Sequence, residues 1–195
     1  MINAATINKL NEMHLTAMAE SYRHQLQEPS FESLSFEERF SIMVDTEWSR
    51  RKNNRLTKLI RRAEFLQSDA CIEDIEYHAD RKLDKSLITR LSSCNYIQEK
   101  HNLIILGASG AAKTYLSCAF GNAACRNYYT VKYIRLPDLL NELAVARGEG
   151  IFKKVMTQYK KVSLLILDEW LLVPLTGTEA RDLLEIVEAL SLIHI

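Results

Sequence analysis

The stretch that most constrains this chain is Asn102–Thr114, which reads Asn-Leu-Ile-Ile-Leu-Gly-Ala-Ser-Gly-Ala-Ala-Lys-Thr. Leu103–Leu106 is a short all-apolar run, the pattern of a strand buried on both faces. Gly107 and Gly110 make a turn, Lys113 and Thr114 follow, and Tyr115–Arg126 reads as a helix. Strand, glycine turn, Lys-Thr and helix are the parts of a phosphate-binding P-loop. The backbone N–H groups of Gly107, Ala108, Ser109, Gly110, Ala111 and Ala112, with the helix N-terminus behind them, would face the phosphates. Lys113 would reach the β- and γ-phosphates, and the Thr114 hydroxyl would hold Mg2+. One position departs from the pattern: the residue before Lys113 is Ala112, where the motif has glycine. If the loop needs a left-handed backbone there, a non-glycine residue costs about 1–2 kcal/mol. The methyl group adds a steric loss, so weak or absent ATP binding is the expectation.

A second motif lies downstream. Val162–Leu167 is another buried strand, and it ends in Asp168-Glu169. This is the Walker B pattern, which delivers both carboxylates to the C-terminal end of a strand, where open α/β sheets bind ligands. Asp168 would position Mg2+, and Glu169 would orient and deprotonate an attacking water. Between the motifs, Thr130–Ile134 reads as a strand, Pro137 as a helix start, and Phe152–Tyr159 as a short helix; after them Thr176–Glu179 is a capping box that opens a helix with Ala180, Leu183, Leu184 and Val187 on one face. Cys118 and Cys125, like Cys71 and Cys94, form no C-x-x-C pair and read as reduced core thiols rather than a zinc site.

Upstream the chain reads as helical. Residues up to about Gln27 look like one helix ended by Pro29, with Ile7, Leu10, His14, Ala17 and Tyr22 near one face. Ser35–Glu38 is a capping box that starts a second helix at Phe36, along which Phe40, Val44 and Trp48 form an apolar stripe. Then come seven basic residues without an acid: Arg50, Arg51, Lys52, Arg55, Lys58, Arg61 and Arg62. Either the helix bends near Asn53-Asn54, or its stripe passes from core to charged surface. The run is a solvated face or a contact for phosphate backbones. Ser68–Glu76 reads as a loop or short helix, Asp84–Leu91 as a short helix starting at Asp84 or as early as Asp80, and polar Ser92–His101 as a domain boundary. Formal net charge is zero, so only this local clustering says anything about a partner. The first residues hold Lys9, Glu12 and Glu20 rather than a secretory apolar run, so the expectation is a cytoplasmic chain without membrane spans.

With these motifs placed, the chain resembles IstB, the helper ATPase encoded beside the transposase of a class of bacterial insertion sequences. That family is related to the helicase loader DnaC within the AAA+ group. The resemblance covers about Met1–Ala189 and is most specific at Glu47-Trp48-Ser49-Arg50-Arg51, Asn102–Thr114 and Leu165–Trp170. It implies an α/β fold: a parallel-sheet P-loop NTPase core of the AAA+ type over residues 92–195, preceded by an all-helical DNA-binding region over residues 1–91. It implies ATP and Mg2+ as cofactors, with Gly107, Gly110, Lys113 and Thr114 on phosphate and metal, and Asp168 and Glu169 on metal and water. Lys113 and Glu169 would carry catalysis. It also implies double-stranded DNA, the transposase of the same element and further copies of the chain as partners, with the Arg50–Arg62 run on DNA. The resemblance sets Leu103–Leu106 beside the strand that ends at Asp168. The last residues, Leu190–Ile195, do not match the family, and the core reads as truncated, so impaired activity is expected. A DnaC-like loader and a non-enzymatic DNA-binding remnant are the alternatives.

Overall fold

Two reciprocal capping boxes start helices where the sequence signals them. Ser35 N–H donates to Glu38 Oε2 (2.8 Å) and Glu38 N–H to Ser35 Oγ (3.2 Å), opening α3, Phe36–Ala63. Thr176 and Glu179 do the same for the last helix, Gly177–Ser191. These are features of a computed structural model that describes residues 2–77, 83–170, 172 and 174–191. A helix start at Asp80 and residues 192–195 lie outside the described residues. The chain divides into two units, Met1–Thr57 and Lys58–Ile195. The division falls inside α3, and the polar stretch Ser92–His101 lies within the second unit.

In the first unit the expected single N-terminal helix is two, α1 (Ile2–Glu12) and α2 (Thr16–Gln27). His14 between them has φ 58°, a left-handed residue that no helix continues through. The N-cap of α2 is Leu15, which has no side-chain acceptor for the helix's first N–H groups. Glu47 of α3 supplies one: its Oε2 accepts from Ala17 N (2.9 Å) and Met18 N (3.1 Å). Arg51 secures the arrangement, donating from Nε to Glu47 Oε1 (2.7 Å) and from Nη2 to the His14 carbonyl (2.9 Å).

That clamp decides which face of α3 turns inward. Met43 and Glu47, four apart, are buried. The expected core stripe lies one residue round the cylinder, about 100° away by helix geometry, and is exposed: Phe40 46%, Val44 41%, Trp48 56%. The helix runs unbroken through Asn53-Asn54.

The second unit carries α4 (Lys85–Ser92), α5 (Asn95–Gln98), α6 (Lys113–Arg126), β1 (Val131–Arg135), α7 (Leu136–Gly148), α8 (Phe152–Lys160), β2 (Leu164–Asp168) and α9 (Gly177–Ser191). Asp84 caps α4 by accepting from Ser86 N and Leu87 N. The strands β1 and β2 are parallel, in register from Val131↔Leu164 to Arg135↔Asp168, and α7 and α8 make the crossover. One core cluster joins Leu136, Leu139 and Leu143 of α7 to Val155, Met156 and Tyr159 of α8 and Leu183 and Ile186 of α9. Residues 65–73 strap α6 on another side. Phe65 packs so closely on Gly121 that a Cβ there would lie 2.3 Å from its ring. Asn122 Nδ2 donates to the Ser68 (3.1 Å) and Ala70 (2.8 Å) carbonyls, and Arg126 pairs with Glu73 (3.0 Å). Cys94, Cys118 and Cys125 are buried as expected, whereas Cys71 is only half-buried, its thiol donating to the Glu73 carboxylate.

The expected strand at Leu103–Leu106 is not formed. These residues lie outside helix and strand, with Ile104 77% and Leu106 87% exposed. Among the described residues the only sheet is β1–β2, so β2 does not pair with this segment. An apolar run becomes a buried strand only where ladder partners take up its backbone groups.

Candidate nucleotide-binding site

The loop before α6 turns through two left-handed residues. Gly110 has φ 76°, which suits only glycine without strain. Ala112 has φ 57° and ψ 30°, and is the N-cap of α6 without any side-chain cap bond. The backbone shape for which glycine is used at this position is therefore present, carried by alanine. Gly107–Ala111 are exposed. Ala111 N–H donates to the Ala108 carbonyl (3.2 Å), tightening the turn around Ser109. The Lys113 ammonium folds back over the loop, donating to the carbonyls of Gly107 (3.0 Å) and Ala108 (2.7 Å).

Thr114, one residue into the helix, reaches across to β2. Its Oγ1 donates to Asp168 Oδ2 at 2.6 Å, joining residues 54 apart in sequence. The same oxygen accepts from Tyr133 Oη (2.8 Å), and Asp168 Oδ1 accepts from Glu169 N (2.9 Å). Partial burial works to raise the Asp168 pKa. The hydrogen bonds from Thr114, Tyr133 and the Glu169 N–H, with the Lys113 charge, outweigh it and hold the carboxyl below its ordinary value. The Tyr133 hydroxyl is pushed the other way, by burial first and then by donating to that carboxylate.

Glu169 has φ 54°, a strained conformation for a residue with a side chain. Its carboxylate lies 3.5 Å from Arg135 Nε, which also meets Asp138 at 3.0 Å. Lys113, Thr114, Asp168 and Glu169 are thus gathered at the start of α6 and the end of β2. Tyr133 and Arg135 complete the group, and sequence reasoning passed over both. Their signal is the strand register: Arg135 pairs with Asp168, and Tyr133, two residues earlier, shares its face.

The basic run lies along α3. In the first unit Arg50 pairs with Glu20 (3.1 Å), Arg51 closes the Glu47 clamp, and the Lys52 ammonium sits 3.6 Å from the centre of the Trp48 ring. Arg55 is exposed on the same helix, and Lys58, Arg61 and Arg62 are exposed in the second unit. Glu47 is 8% exposed; burial works against its charge, yet bonds from Arg51, Met18 N and Ala17 N hold its pKa below the ordinary value. The distinctive Glu47–Arg51 stretch therefore has a folding role. Among the described residues no helix is long and apolar enough to cross a membrane.

Comparison with known proteins points one way. The family described as IstB-like ATP binding protein matches residues 8–191. A Pseudomonas fluorescens protein named for ATP binding in insertion sequence IS1162 is 38% identical over 188 residues, covering 96% of this chain and 81% of its own length. A Sinorhizobium fredii insertion-sequence protein, y4pL, also named for ATP binding, is 39% identical over 96% of this chain and 76% of its own. The Pseudomonas aeruginosa counterpart named for insertion sequence IS21 is 24% identical over 89% of this chain and 64% of its own length.

Proposed function

The chain belongs to the IstB-like ATP-binding family of insertion-sequence helper proteins, and from that premise we propose that it binds ATP with Mg2+ and prepares target DNA for a partner transposase. The observation that carries the nucleotide part is the 2.6 Å bond between Thr114 and Asp168. It joins the residue after the P-loop lysine to the carboxylate at a strand end, as a nucleotide-bound metal requires.

The donor set fits Mg2+, which is held by one or two protein oxygens together with phosphates and water. Thr114 Oγ1 and Asp168 Oδ2 would hold it, and it would neutralise phosphate charge there. The rest falls to the chain itself. Lys113 exchanges the carbonyls of Gly107 and Ala108 for phosphate oxygens. The open N-terminus of α6 presents its N–H groups to the same anion. Glu169 orients water for hydrolysis once its carboxylate leaves Arg135. Titration of ATP into the chain, with and without Mg2+ and beside Lys113→Ala, tests the reading. Binding that is tighter with Mg2+ and weakened at least about tenfold in the variant supports it, and binding indifferent to both overturns it.

For DNA, the support is the acid-free basic run on α3. Lys58, Arg61 and Arg62 lie on its exposed side, whereas Arg50 and Arg51 are engaged in the first unit's own fold. Contacts of this kind read phosphates rather than bases, so affinity should fall steeply with salt. Lys58→Glu with Arg62→Glu should weaken duplex binding strongly while leaving the Glu47 clamp intact; unchanged affinity would remove the run from the interface.

A further inference from the structure

We propose that Tyr133 is a positioning residue for the metal side of the nucleotide site: its buried hydroxyl holds the Asp168 carboxylate in the orientation from which Asp168 and Thr114 take the divalent cation of the nucleotide. The inference rests on the nucleotide reading above. Tyr133 is 6% exposed, and its hydroxyl donates to Asp168 Oδ2 at 2.8 Å. A hydroxyl taken out of water is costly without a partner, so this bond is an obligation of the fold as well as a constraint on the aspartate. The terminal torsion of an aspartate is soft. Here three donors fix it: Glu169 N–H on Oδ1, and Thr114 and Tyr133 on Oδ2. Thr114 and Glu169 are both slated to meet the ligand or its water. Tyr133 is the donor that comes from β1, where the Tyr133↔Ile166 register sets its backbone.

Removing it should loosen the metal's ligand without touching the phosphate loop. The test is the Mg2+ concentration giving half-maximal binding of a fluorescent ATP analogue, with a parallel titration in EDTA. Tyr133→Phe fills the same space and should fold, which thermal melting checks. Its Mg2+ midpoint should rise about tenfold, the low end of what losing an outer hydrogen bond to a metal ligand costs, while affinity in EDTA stays as in the parent.

Tyr159→Phe is the matched control. That tyrosine is 3% exposed and its hydroxyl also meets a carboxylate, Glu142 Oε2 at 2.5 Å, in the core beside α7. It should leave the midpoint unchanged. An unmoved midpoint in Tyr133→Phe, an equal loss in EDTA, or an equal shift in Tyr159→Phe would each overturn the inference while leaving the nucleotide reading standing. A parent chain that binds no analogue under either condition would overturn both.

Discussion

Among the helices that begin without a side-chain cap of their own, α2 and α6 meet different ends. The N-terminus of α2 follows Leu15, and the carboxylate of Glu47 fills it, with Arg51 behind. The N-terminus of α6 follows Ala112 and carries no side-chain cap bond. Both present unpaired N–H groups and the positive end of a helix dipole. One is satisfied permanently by a protein anion and is a fold contact. The other carries no such bond and stands beside Lys113 and Thr114, which is where the proposed nucleotide site is set. The difference separates structural from functional residues more cleanly than their types do, since acidic and basic side chains occur at both.

The largest expected effect is at the closed end. Glu47→Ala strips α2 of its cap and leaves Arg51 without its carboxylate, a loss of about 3 kcal/mol for hydrogen bonds to a charged group. Hydrogen exchange at the Ala17 and Met18 amides should accelerate about a hundredfold, and unchanged protection would show that α2 does not need the clamp. At the open end, Lys113→Ala should cost ATP affinity about tenfold to a hundredfold, the range of one or two charge-assisted bonds. It should leave those two amides untouched.

Proton titration separates the two ends more gently. The Glu47 pKa in the folded chain is below its ordinary value of 4.5. Its contribution is therefore complete above about that pH and is lost as pH falls through the lower folded value. Protection of α2 should be flat from neutral pH down to the usual carboxylate range and fall below it. Glu47→Gln should remove that part of the acid sensitivity. A wild-type profile that loses protection while pH is still near neutral would assign it to another group.

Much of this could be read from the sequence, for reasons that differ by element. The boxes at Ser35 and Thr176, the Asp84 start and the Asp168-Glu169 strand end are local signals, and each is used as written. The stripe Phe40/Val44/Trp48 misled because periodicity finds an apolar face without saying which face a polar clamp will turn inward. Leu103–Leu106 misled because a strand needs partners, and no pairing is visible from the run itself. Tyr133 and Arg135 could not be found before the register of β1 on β2 was known. The His14 break has no glycine or proline to announce it.

The smallest effect bears on the central claim, that the N-terminus of α6 is already shaped for phosphate despite Ala112. The left-handed geometry at Ala112 is part of the fold itself, so its cost of about 1–2 kcal/mol falls on folding rather than on binding. Ala112→Gly should stabilise the second unit by less than about 1 kcal/mol, since glycine's looser unfolded chain offsets part of the relief. Only the methyl group is left to affect the ligand. Isothermal titration of ATP with Mg2+ into the native chain and Ala112→Gly is the direct test. Both should bind, the glycine form tighter by less than about tenfold, or 1.4 kcal/mol. A native chain that binds no ATP beside a glycine variant that does would contradict it.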